Sequence, residues 1–143
     1  MPPTDPEQLA RACADAMWAT DNASRALGMK IIDVGPGRAI LTMTVADTMT
    51  NGHGMCHGGF IFTLADSAFA FACNSRNQNA VAQHCNVTYI RPGKRGDVLT
   101  AQAVERSRSG RSGIYDITVT GSDGKVVAEF RGHSRVIEGS LVT

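Results

Sequence analysis

The chain has no charge bias. Its 143 residues carry 14 basic and 13 acidic side chains, a formal charge of +1, so a nucleic-acid binder driven by bulk charge is excluded. No basic segment and apolar run open the sequence. "MPPTDPEQLA" is polar and acidic, which argues against a secretory signal. No apolar run reaches membrane-spanning length, because Thr63, Asp66 and Ser67 interrupt the longest one. The four cysteines, Cys13, Cys56, Cys73 and Cys85, form no CxxC pair, and reduced thiols are the default without export signals. Repeats and low-complexity tracts are absent too. The expectation is one cytoplasmic domain over residues 1–143, with no membrane or nucleic-acid partner and enough chain to bury a core.

What is present has a clear period. In "DPEQLARACADAMWATD", Leu9, Ala12, Cys13 and Met17 recur at helical spacing. A helix is predicted over about 5–21, with Asp5 as cap and Pro6 at its first position. "MKIIDV" and "AILTMTVAD" read as strands joined at "GPG". A long, almost wholly apolar helix follows over about 57–75. After Val81 come four strands, the last two joined at "SDG", where Asp123-Gly124 suits a hairpin. Consecutive strands with short turns predict an antiparallel sheet. A helix apolar nearly all round must be surrounded. The fold class is therefore α+β, with a curved sheet around a central helix.

Asp66 is the anomaly in that helix. A carboxylate among Phe60, Ile61, Phe62, Leu64, Ala65, Ala68 and Phe69 is costly to ionise unless something polar meets it. It shares a face with Thr63 and Ser67, which leaves a solvated stripe as one reading. The helix entrance offers another. "HGG" at 57–59 places glycines where first-turn N–H groups are free, which suits developing negative charge. Asn51 can add a donor to such an oxyanion site. Gly58 and Asp66 are about 12 Å apart along one helix, so they cannot serve one carbonyl together. Two copies packed antiparallel would bring the Asp66 of one to the Gly58 of the other, with sites between subunits.

"HGGFIFTLADSAFAFACNS", "NVTYIRPGKRGDVLTAQA" and "VAEFRGHSRVI" together resemble the hotdog-fold thioesterases of the phenylacetyl-CoA-pathway type, over roughly residues 26–137. The resemblance implies a hotdog fold and a homo-oligomer, often a dimer of dimers. It implies hydrolysis of an acyl-CoA thioester, with an aromatic acyl group such as phenylacetyl or its ring-hydroxylated form. It assigns Asp66 as the catalytic carboxylate, the Gly58 N–H to polarise the carbonyl, and Asn51 and His57 as its supports. Some relatives place a serine on the next strand, where this chain has Ala82. Asp66 can act as general base on water or attack directly to give an anhydride, and the general base is favoured. Coenzyme A belongs to substrate and product, so no cofactor is required. Its phosphates need cations, for which Arg91, Lys94, Arg95, Arg108 and Arg111 are candidates.

Rival readings start from other residues. His53, Cys56 and His57 in "HGMCH" have metal-ligand chemistry but no fourth ligand nearby in sequence, so no metal is expected. Cys56 and Cys73 are weak candidate nucleophiles, and Cys73 is expected in the core. His84 and His133 fall on strands, where a structural role is expected. A hydroxyacyl-thioester dehydratase and a non-catalytic acyl-CoA-binding protein are the alternatives to a hydrolase.

Overall fold

The computed structural model describes residues 1–143. Helix α1 (Pro6–Trp18) starts as the sequence predicts, with Asp5 accepting the Gln8 N–H at 3.0 Å and Pro6 in the first turn. It ends three residues short of the expected boundary. Asp21 accepts the Ser24 N–H at 3.0 Å and opens a separate short helix, α2 (Asn22–Ala26). A short acidic side chain stabilises a cap better than a helix interior, so it restarts the chain.

Strands β1 (Lys30–Gly35) and β2 (Arg38–Thr44) precede a single 3-10 turn at Asp47–Met49 and the central helix α3 (Gly58–Cys73). Strands β3 (Ala80–Tyr89), β4 (Val98–Ser109), β5 (Ser112–Thr120) and β6 (Val126–Val136) complete the chain. All six form one antiparallel sheet in the order β1-β2-β4-β5-β6-β3. Helix α3 packs against every strand, so the sheet wraps it in the hotdog arrangement.

Alternation sets the core. Leu41 and Met43, Leu99 and Ala101, Ile117 and Val119, and Ala128 and Phe130 all point inward and are buried. Helix α3 answers with Ile61, Leu64, Ala65, Ala68, Phe69, Phe71 and Ala72. Phe69 packs between Tyr115 and Phe130, with ring centroids at 5.6 and 6.0 Å. Its ring lies on Gly132, where a β-carbon would come within 2.7 Å of Phe69 Cζ. Glu105 faces inward in alternation with Leu99, Ala101 and Ala103, just before a bulge in β4 between Glu105 and Ser107. There it pairs with Arg76 and accepts the Tyr115 hydroxyl at 2.9 Å.

One edge of the sheet positions the site. Strand β3 is ten residues long, mostly exposed, and hydrogen-bonded only to β6. Helix α3 runs antiparallel beside it and is tied at both ends. The Tyr89 hydroxyl donates to Gly58 C=O at 2.9 Å, and Asn74 exchanges side-chain bonds with the Ala80 backbone at 3.1 and 2.9 Å.

Candidate active site

The loop ahead of α3 is built around Asn51. Its Oδ1 accepts the His53 and Met55 N–H groups at 2.9 and 3.2 Å, and its backbone N–H reaches Met55 C=O at 2.8 Å. The side-chain oxygen is thus consumed inside the loop, which leaves the NH2 as an unused donor. Two backbone bonds hold the loop in place. Cys56 N–H donates to Gly93 C=O at 2.8 Å and His57 N–H to Met49 C=O at 2.7 Å.

His57 is the N-cap of α3, and its Nδ1 accepts the Gly59 N–H at 2.9 Å. The proton of a neutral ring therefore sits on Nε2. Phe60 N–H is taken by His57 C=O at 3.0 Å. Of the three first N–H groups, only that of Gly58 lacks an acceptor within the chain, and it sits at the positive end of the helix.

Gly58 and Asn51 both line an open cleft of about 380 Å³, with Met55, Ile61, Tyr89, Ile90 and Pro92 as its apolar wall and Arg91 at its rim. The wall suits an apolar group and the helix start suits a polarised carbonyl. Tyr89 was not singled out in the sequence, where it reads as one more inward residue of an alternating strand. Nothing in the sequence marks it, because its phenol meets "HGG" only through the fold.

Asp66 is not in this cleft. It lies two turns further along α3, half-buried, without a hydrogen-bond or ion-pair partner. Thr63 and Ser67, which share its face, are both engaged elsewhere. Thr63 Oγ1 donates to Gly59 C=O at 2.8 Å, and Ser67 Oγ bonds Ser24 Oγ at 2.7 Å. Burial pushes the Asp66 carboxyl above the ordinary carboxylate range. Its charge adds to the burial that raises the Cys85 thiol and pushes Cys73 up to about 12.

The five basic candidates do not form one patch. Arg91 and Lys94 line a second polar cleft of about 350 Å³ with Lys125, which the sequence reading passed over. None of the three cationic heads is paired. Asp97 and Asp123 in the same cleft spend oxygens on the Lys94 and Lys125 backbone N–H groups at 3.1 and 2.9 Å. Arg95 is drawn away to Asp47 at 2.8 Å. Arg108 lies near the far end of β4, about 33 Å from Val98 at one strand rise per residue, and Arg111 lies in the turn that follows. Arg108 is also engaged with Gln78 at 3.3 Å.

His53, Cys56 and His57 do not assemble, and no three His, Cys, Asp or Glu side chains lie close enough to hold a metal ion. Burial raises the Cys56 thiol, which disfavours it as a nucleophile although it borders the cleft. His84 and His133 face each other across β3 and β6 with ring centroids at 5.4 Å, far from Gly58 in register. Ala82 pairs with Ser134 and supplies no hydroxyl.

A family model described as "Thioesterase superfamily" matches residues 53–128. The acyl-coenzyme A thioesterase PaaI of Escherichia coli strain K12 is 48% identical over 128 residues, 90% of this chain and 91% of that one. The solved structure of the E. coli PaaI protein from the phenylacetic acid degradation operon superimposes with a TM-score of 0.93 at 46% identity, covering 94% of this chain and 98% of that chain. A Streptococcus mutans UA159 protein solved with acetyl CoA bound superimposes with a TM-score of 0.75 at 28% identity, over 78% and 90% of the two chains.

Proposed function

Since the chain belongs to the thioesterase superfamily, we propose that it hydrolyses phenylacetyl-CoA or a ring-hydroxylated phenylacetyl-CoA to the free acid and coenzyme A, at sites shared between two subunits. One observation carries this reading: the unpaired Gly58 N–H in an apolar cleft and the unpaired Asp66, two turns apart on one helix beside a bare sheet edge. The relatives support the substrate class. One is named an acyl-CoA thioesterase, its solved structure comes from a phenylacetic acid degradation operon, and another binds acetyl CoA.

The bare edge supports the assembly. A ten-residue exposed strand is a template for pairing, and a second copy of β3 is its natural occupant. Antiparallel pairing about an axis near Phe62, midway between Gly58 and Asp66, superposes the Gly58 end of one helix on the Asp66 position of the other. Val87, midway between Cys85 and Tyr89, is the strand residue beside that axis. Each two-fold pair then holds two sites. A dimer of dimers extends the same logic, and four free thiols with a coenzyme A substrate fit a cytoplasmic enzyme.

Gly58 N–H and the Asn51 NH2 polarise the thioester carbonyl and hold its oxygen as charge develops. Asp66 of the partner subunit removes a proton from water as the oxygen attacks the carbonyl carbon. The tetrahedral intermediate collapses, the C–S bond breaks, and the thiolate takes the proton held by Asp66. His57 acts by capping the turn that presents Gly58. Arg91, Lys94 and Lys125 hold the phosphates from the adjoining cleft, while Arg108 and Arg111 reach coenzyme A only if the partner brings them.

Thiol release from aryl and aliphatic acyl-CoAs tests the reaction, with a protein-only blank for the four cysteines. Preference for the aryl substrates supports the reading, and no release from any thioester refutes it. Mixing inactive Asp66→Asn and inactive Asn51→Ala chains tests the shared site. Half the dimers are then mixed and each has one intact site, so about a quarter of wild-type activity returns. Mixtures that stay inactive would place the whole site in one chain. Single-turnover reaction in 18O water tests direct attack, because label in Asp66 can arise only when water opens an anhydride at the Asp66 carboxyl carbon.

A further inference from the structure

We propose that Tyr89 positions the oxyanion amide, by holding the first turn of α3 so that the Gly58 N–H points into the cleft. This assignment rests on the thioesterase reading above. Three observations meet at this residue. First, the Tyr89 hydroxyl donates to Gly58 C=O at 2.9 Å. The helical pattern already gives that carbonyl an N–H four residues on, so the phenol is not there to satisfy an orphan acceptor. Its effect is on direction.

Second, the Tyr89 ring lies against the Gly58 α-carbon. A β-carbon there would stand 3.0 Å from Cζ and 3.1 Å from Oη. Gly58 has an ordinary helical backbone and no left-handed φ, so the conformation does not demand glycine. The ring does. Third, an inward-pointing aromatic on a strand is normally buried, whereas Tyr89 is 49% exposed and forms part of the cleft wall. Its bulk is spent on the cleft and not on the core.

His57 Nδ1 takes the Gly59 N–H, and Tyr89 takes the Gly58 carbonyl. Both bonds hold one peptide plane, the one that follows Gly58. Helix ends fray, and an amide that must meet an oxygen within hydrogen-bond distance cannot swing. With that plane clamped, and the preceding plane held by Phe60 N–H on His57 C=O at 3.0 Å, the Gly58 N–H is left free in one direction.

Tyr89→Phe keeps the ring and removes only the bond to Gly58. The expected result is a kcat lower by about five- to tenfold, with KM changed less than twofold and the melting temperature unchanged. A structural role alone would lower the melting temperature, and a wall role alone would raise KM at constant kcat; either pattern overturns the assignment. An unchanged kcat overturns it too. An active wild type with an equally active Tyr89→Phe sinks this inference and leaves the hydrolase reading standing, whereas an inactive wild type sinks both.

Discussion

Replacing Asp66 with asparagine is expected to move activity and stability in opposite directions. Asp66 is half-buried, has no partner, and has its carboxyl raised by desolvation. Between the ordinary carboxylate range and the raised value, the native state binds a proton that the unfolded state does not. Stability therefore falls as pH rises through that window, and the whole cost is present at neutral pH. Below the ordinary range both states are protonated and the cost vanishes. Asparagine removes the charge and keeps the shape. The gain at pH 7 is about 1 kcal/mol, the low end for an unsatisfied group because solvent still screens this one. In a domain of this size that is about 4 °C of melting temperature. Hydrolysis falls by about 10²- to 10⁴-fold, the range for loss of a general base. Thermal melts at pH 7 and near pH 4, run beside a thiol-release assay, measure both. A variant less stable than wild type at pH 7, or a stability gap that does not narrow on acidification, would mean that Asp66 has a favourable partner and that the reasoning is wrong. The wild-type kcat/KM is expected to rise with pH through a value above the ordinary carboxylate range, because the base must be ionised.

Gly132→Ala forces a methyl to within 2.7 Å of the buried Phe69 ring; overpacking of about 1–3 kcal/mol is expected in urea unfolding, partly relieved when Phe69→Leu is added. Glu105→Ala strands the Arg76 guanidinium and the buried Tyr115 hydroxyl, a loss of about 2 kcal/mol by the same assay that adding Tyr115→Phe reduces. Lys94→Ala and Lys125→Ala are expected to raise KM several-fold for acyl-CoA with kcat unchanged and to flatten its salt dependence, whereas Arg95→Ala, already paired with Asp47, leaves KM within twofold.

The sequence carried the features that are local. Asp5 and Pro6 announce α1, alternation announces β2 and β3, and turn residues bound the other strands, because caps, periods and turns act within a few residues. Asp66 stood out because a charge inside an apolar helix breaks its own pattern. Long-range geometry was not legible. No residue of β3 signals that it pairs with β6 and not with β4, its neighbour in sequence. Arg108 and Arg111 looked equivalent to Arg91 because turn composition does not record which end of a sheet a turn occupies. Tyr89 was hidden for a related reason: an inward strand residue and a cleft wall share one sequence signature, and only the sheet edge tells them apart. Asp21 shows the reverse case, a cap signal that lay in the open inside an expected helix.

The sheet order also sets a timetable for synthesis. Strand β3 leaves the ribosome before β4, β5 and β6, yet its one partner in the chain is the last strand made. Until β6 emerges, β3 has no strand to pair with, although β4 and β5 can already join β1 and β2 against α3, and Phe69 has Tyr115 but lacks Phe130. The nascent chain therefore carries its most apolar helix beside an unpaired strand for most of the second half of translation, when aggregation competes with folding. Closure comes in one late step, when β6 fills the gap between β5 and β3 and completes the sheet over the helix.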